Sequence, residues 1–451
     1  MERPSTPSGL NPVLLLIASV RRQFGSCPCT ALFLGLCIFL PVVVLCSSSR
    51  RSSLSHRGTA ELFEISRRAR LVQSFESDPL ASVPQIWEQR LGSSAALDRW
   101  THQGRGLWWL IWLDDGEPVL VLPEASDPSS LDLLFADELH RSSFDQRPPL
   151  RHRAPSALEQ SCLEHLTSGT AVHWRPSGLV ALSGPLFPAL TSVSHGCLQV
   201  TLQGDRLMAE GPVASKPFAS LQDVPLRGHA DPVRFDRSSA YLELNSVALQ
   251  PLLGSFVSNA LIAEQLDSRY GLPQELRDAL LAAPVALRVE PLEAGRFQAS
   301  AQARLMLAAA QSDRIRESLD AVATALSQRG LQREQRPLLT SQGRSSTRVA
   351  EVWLDAQGHP TGGWSLGPEN QGRVELLVAL GEAPKLGASP LRRLGQQRLR
   401  FRGRPEQLAR LGWLGPGWPQ VIRVASQLEL EMTALPKQHQ PGWLRLQLEL
   451  R

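Results

Sequence analysis

Lysine is nearly missing from this chain. It occurs only at Lys216, Lys385 and Lys437, so arginine carries almost all the positive charge. With 47 basic and 43 acidic residues, the formal net charge is +4 over 451 residues. No basic block or basic face stands out, which speaks against a nucleic-acid partner. The sequence has no H-E-x-x-H, no P-loop and no G-x-G-x-x-G fingerprint. Its ten histidines are scattered, and none has the spacing of a paired metal ligand. Cys27-Pro28-Cys29 is too close for a C-x-x-C motif, and no second ligand pair completes a zinc site. These absences disfavour familiar enzymes and point to no cofactor and no metal.

Charge is also missing locally. From Gln23 to Ser49 there is no charged residue, and inside that run lies the apolar stretch Thr30–Cys46. About 20 mostly apolar residues suffice to cross a bilayer, and Pro41 is tolerable in such a helix. Cleavage signals are poor. Ser47-Ser48-Ser49 offers no A-x-A site, and Leu45 precedes Cys46 where a lipoprotein cysteine wants a small residue. Arg21-Arg22 resembles part of a twin-arginine signal, but Val20 and Gly25 depart from it. The expectation is a retained single-pass helix over residues 30–49 after an N-terminal segment 1–29. Arg50, Arg51, Arg57 and Arg67 after the span favour a cytoplasmic C-terminal part by the positive-inside rule. The single anchor before a large β-rich part favours the opposite side, and an extracytoplasmic placement is the one adopted.

The rest has a globular composition, 42% hydrophobic and 20% charged. Three regions are expected: a stalk and Trp-rich hairpin over 50–155, an α+β region over 156–335 and a C-terminal α+β module over 336–451. Leu62, Ile65, Ala69 and Val72 share helical spacing. Gly106–Leu113 and Pro118–Leu122 flank an Asp-Gly turn and read as a hairpin, with Trp108 and Trp112 on one face. Leu131–Leu139 reads as a short helix and Gln332–Ser346 as a polar linker. Thr347–Leu354 and Arg373–Ala379 read as strands joined by a Gly-rich connection. Asp313–Gln328 reads as a helix capped by Ser312, with Ile315, Leu319, Val322 and Leu326 as one stripe. Val247–Leu266 is the most apolar helix after residue 60. Cys162 and Cys197 are expected as buried free thiols, or as a disulfide in an oxidising compartment.

A pattern recurs. Ala171–Leu179, Ala240–Leu249 and Leu399–Leu408 each read as strand, turn and helix start, and a hairpin follows each. Val172, Leu242 and Phe401 align as inward strand positions. Arg175, Asn245 and Arg404 fall on the turn. Pro176, Ser246 and Pro405 fall where a helix would begin. The fold expected is α+β: an N-terminal transmembrane helix, then antiparallel-sheet modules of strand–helix–strand–strand in about three copies. This layout resembles uncharacterised cyanobacterial membrane-anchored proteins of unknown function, over Leu166 to Arg451. The resemblance implies a membrane-tethered α+β protein and carries no catalytic residues. The function expected is a non-enzymatic binding or assembly module for a protein or lipid partner, with an envelope enzyme as the alternative. Leu252, Phe256 and Leu261 on the apolar helix, and Trp108 and Trp112 on the hairpin, are the candidate ligand-binding residues.

Overall fold

The strands follow from alternation and the helices from apolar stripes, and together they make one mixed α+β unit built mostly on an antiparallel sheet. A computed structural model describes residues 54–450, except 105, 114–116, 125–126, 128–129, 147–152, 177, 179–192, 216–239, 251–253, 255–256, 293–296, 341–344, 387–396, 416–417, 419 and 434–441. The expected span over residues 30–49 lies outside the described residues. Among those described, no helix is long and apolar enough to cross a membrane.

The first part runs α1 (His56–Arg68), β1 (Leu71–Glu76), α2 (Gln85–Leu91), α3 (Ser93–Gln103), β2 (Leu107–Trp112), β3 (Pro118–Pro123), β4 (Leu131–Leu134), α4 (Glu138–Asp145) and α5 (Ala157–Ser168). Ser55 caps α1 by accepting from the Gly58 amide, and Ser156 with Glu159 forms a capping box on α5. Then come β5 (Ala171–Trp174), β6 (Val193–Gln203), β7 (Arg206–Ser215), β8 (Leu242–Ser246), α6 (Ala260–Tyr270), α7 (Gln274–Ala282), β9 (Val285–Pro291), β10 (Ala299–Ala308) and α8 (Ser312–Gln328). Last are β11 (Gln332–Thr340), β12 (Ser345–Leu354), β13 (Pro360–Leu366), β14 (Arg373–Leu380), β15 (Lys385–Leu386), β16 (Gln397–Gly403), α9 (Pro405–Arg410), α10 (Gln420–Arg423), β17 (Gln427–Thr433) and β18 (Gly442–Glu449).

Among the described residues, 18 strands belong to one sheet. From one edge, β4, β3, β2, β1, β5, β6 and β7 pair in sequence, each antiparallel to the next. β7 then pairs β18, and the ladder continues through β17, β16, β8, β9 and β10. It ends through β14, β13, β12 and β11, with a two-residue parallel contact to β15. The order of a strand, helices, then a hairpin whose first strand pairs the opening one occurs at β1–α2–α3–β2–β3, β8–α6–α7–β9–β10 and β16–α9–α10–β17–β18. β5, β6 and β7 pair in the same way. Opening strands meet antiparallel, β1 with β5 and β8 with β16. Val172, Leu242 and Phe401 pack on one apolar cluster across these strands. The proposed turn is displaced in one copy: Asn245 and Ser246 are still in β8.

Several expectations are corrected. Val72 belongs to β1, not to a helix, because α1 ends at Arg68 and Leu71–Glu76 is held between β2 and β5. Leu131–Leu134 is the edge strand β4. The polar stretch after Leu331 is β11, an edge whose charges and Pro337 suit a strand that must not recruit another chain. Ser312 is the first residue of α8 rather than its cap. The Gly-rich connection contains β13, where Gly362 and Gly363 permit close strand approach. A Cβ at Gly362 would sit 2.6 Å from the Ala379 carbonyl oxygen, and one at Gly363 2.2 Å from that of Glu351. The apolar segment 247–266 is not one helix: Asn259 caps α6 by accepting from the Leu261 amide.

The cores lie on both faces of the sheet. Trp109, Ile111 and Val72 pack under α1 and α5. On the other face Trp87, Trp100 and Trp108 meet edge to face. The thiols are not free: Cys162 of α5 is bonded to Cys197 of β6, with Cα atoms 5.3 Å apart. His173 of β5 stands opposite Cys197 in the ladder and is buried. Burial is the main cause that pushes its pKa down to about 4, helped by His195 and Arg175 and opposed by Glu159.

Candidate apolar cavity

The helices α6, α7 and α8 lie over the end of the sheet formed by β10, β14, β13 and β12, and side chains of the two layers belong to one apolar cluster. Ile315, Leu319, Val322 and Leu326 repeat every three or four residues along α8, so they share one face. From α7 come Leu276 and Leu280. Beneath them, Ala303 and Leu305 of β10 stand opposite Val378 and Leu376 of β14. All of these line a cavity of about 660 Å³, with Trp353 and Trp364 in its wall. The indole rings of Trp353 and Trp364 are 5.5 Å apart and tilted. That volume falls within the range of small-molecule pockets.

Three polar side chains of the described lining donate to main-chain carbonyls. Arg277 reaches the lining but donates to the Leu272 carbonyl at 2.6 Å and the Ala263 carbonyl at 3.2 Å. Ser318 donates to the Gly271 carbonyl at 2.8 Å, and Thr361 to that of Trp353 at 3.0 Å. Arg277 Nη1 thus ties α7 to the first turn of α6 and to the loop after that helix. The rest of the described lining is mostly hydrocarbon, and Trp353 Nε1 is buried without a hydrogen-bond partner. At the rim stands Leu380, a lining residue that is 63% exposed.

The candidate residues fall in different places. Leu249, Val257 and Leu266 of the expected apolar segment line the cavity. Leu261 of the same segment faces outward, 75% exposed. Leu252 and Phe256 lie outside the described residues. Trp108 is buried in the tryptophan cluster and Trp112 packs on the strand cluster, so neither lines the cavity. Sequence reasoning passed over Leu276, Leu305, Leu376 and Trp353, which come from four elements and share no local pattern. The α8 stripe was visible, but an apolar stripe reads first as core.

Two chemical alternatives are limited by geometry. Gly363-Trp364-Ser365-Leu366-Gly367 matches the string G-x-S-x-G. Here it lies along and just past β13, not on a strand-to-helix turn, and Ser365 donates to the Val349 carbonyl while accepting from Arg348. Among the described residues, no group of three or more His, Cys, Asp or Glu side chains is placed to hold a metal ion.

No family model matches the chain, and no curated protein matches it. Among solved structures, the one described as "Structure of crystal form III of TP0453" is similar over 47% of this chain and 77% of that chain, at 13% identity with a TM-score of 0.24. A likeness that weak defines neither fold nor function.

Proposed function

We propose that the protein is a membrane-anchored, non-enzymatic lipid-binding module that works on the extracytoplasmic side. The observation that carries this reading is the cavity of about 660 Å³ under α6, α7 and α8, whose described lining is almost entirely apolar side chains. An apolar ligand that fills an apolar space of that size gains dispersion contacts with its walls. The uncharged run Gln23–Ser49 supports an anchor over residues 30–49. The Cys162–Cys197 bond supports an oxidising compartment for the folded part.

Ligand that binds only the native state raises the unfolding temperature, by an amount that grows with its concentration. The full chain, held in membrane discs, is expected to melt at a higher temperature as palmitate is added. Ala303→Trp places a large side chain in the cavity. It is expected to remove at least most of that rise while leaving the ligand-free melt near the wild-type value. A palmitate-dependent rise of the same size in both proteins, or no rise in either, would overturn the reading.

A further inference from the structure

We infer that the lipid held in the cavity is an acid, and that Arg277 binds the oxyanion of its headgroup, a carboxylate or a phosphate. This rests on the lipid-site reading and adds the headgroup to it. Arg277 is the one charged side chain in the described lining, and it is half-buried. Among the described residues it pairs with no carboxylate. Glu275 on the same helix is bonded to Arg314 at 2.8 Å. A guanidinium keeps its charge inside a protein, and a charge drawn partly out of water is stabilised by a counter-charge.

The hydrogen bonds decide which part of the group is left over. Both bonds to carbonyls, Leu272 at 2.6 Å and Ala263 at 3.2 Å, come from Nη1. Among the described residues, Nε and Nη2 have no acceptor. These two atoms form one edge of the guanidinium, and its two parallel N–H bonds match the two oxygens of a carboxylate or phosphate. The Nη1 bonds hold the group between α6 and α7, so an anion meets a donor edge that is already ordered. An ammonium headgroup offers that edge no acceptor and is repelled by its charge. An alcohol can accept from it, but in the weaker bond of a neutral group.

The tail meets apolar side chains of α8 and the sheet, among them Leu319, Leu305 and Leu376. Such a wall favours any tail of suitable length by the apolar area removed from water. The choice between lipids of equal tail therefore falls to Arg277.

The test uses the full chain in phosphatidylcholine discs, in mildly alkaline buffer. The probe is hexadecanol with a photoreactive diazirine at its terminal carbon, and labelled peptides are read by mass spectrometry. Label is expected on the peptides holding Leu305, Leu319 and Trp353. Palmitate and hexadecyl phosphate are expected to suppress it at a mole fraction at least about tenfold lower than unlabelled hexadecanol, the ratio a charge-assisted pair of bonds supplies. Methyl palmitate keeps the carbonyl without the charge and is expected to fall with hexadecanol, and hexadecylamine below both. Arg277→Gln is expected to erase the advantage of the two acids. The ester comparison reads the wild type alone and decides the matter even where that variant does not fold. If hexadecanol, the ester or the amine competes as well as the acids, the inference is overturned while the lipid site stands. An acid preference that survives Arg277→Gln would overturn the assignment to Arg277. Label confined to peptides outside the cavity wall would remove the lipid-site reading itself.

Discussion

Cys197→Ala is expected to lower the stability of the folded part by about 4 kcal/mol. The bond to Cys162 closes a loop with a sequence separation of 35, and a loop of that length restricts the unfolded chain by about that amount in the chain-entropy account. It ties α5 to β6 beside His173, where helix and ladder meet. Denaturant unfolding with and without reductant checks the value. Reductant is expected to bring the wild type to the variant's midpoint and to leave the variant unmoved. Equal midpoints for oxidised and reduced wild type would contradict the role assigned to the bond. The same experiment bears on location, because a protein that depends on this bond is suited to an oxidising compartment.

Acid is expected to destabilise the protein through His173. The imidazole is buried and neutral, with its pKa lowered to about 4, whereas in the unfolded chain it titrates near 6.5. A base whose pKa is lowered by folding binds more protons when unfolded. Its contribution is therefore intact above pH 6.5 and is lost progressively as pH falls toward 4. The loss across that window is about 3 kcal/mol. Burial also lowers the pKa of His165 and His195, so they act in the same direction. His173→Leu keeps an apolar side chain in that space and removes the proton acceptor. Its stability is expected to fall less steeply than that of the wild type between pH 6.5 and 4. Parallel curves would show that the acid sensitivity has another source.

Both effects depend on tertiary neighbours, and this separates what was legible in the sequence from what was not. The Trp-rich hairpin was legible because β2 is apolar on both faces and β3 follows it directly. The α8 stripe was legible from its spacing alone. The strands β1, β4, β11 and β13 were not. β1 sits just after an amphipathic helix and continues its apolar spacing. β11 opens on a run of charged and polar residues, and pairing with β12 holds it as a strand. β13 carries two glycines that usually mark a loop, here required by the nearness of the Ala379 and Glu351 carbonyls.

The candidate site was legible only in part, for a related reason. The apolar segment before α6 does contribute Leu249, Val257 and Leu266 to the cavity. Leu261 points outward because the Asn259 cap restarts the helix and resets which side faces the sheet. Trp108 and Trp112 are ligand-binding candidates on a strand whose two faces are both apolar. In the fold both faces are occupied, one by α1 and α5 and the other by α2, α3 and neighbouring strands. The cavity itself arises because three helices and four strands meet with small residues such as Ala303 and Gly362 at their junction, which no local periodicity records.

The central claim is that the space between α8 and the sheet is occupied by lipid. Native mass spectrometry of the full chain, released from discs cut from its own membrane, tests it most directly. The account predicts one bound lipid per wild-type chain, surviving gentle activation, and a bare chain for Ala303→Trp under the same conditions. A bare wild type, or the same lipid retained by both proteins, would contradict it.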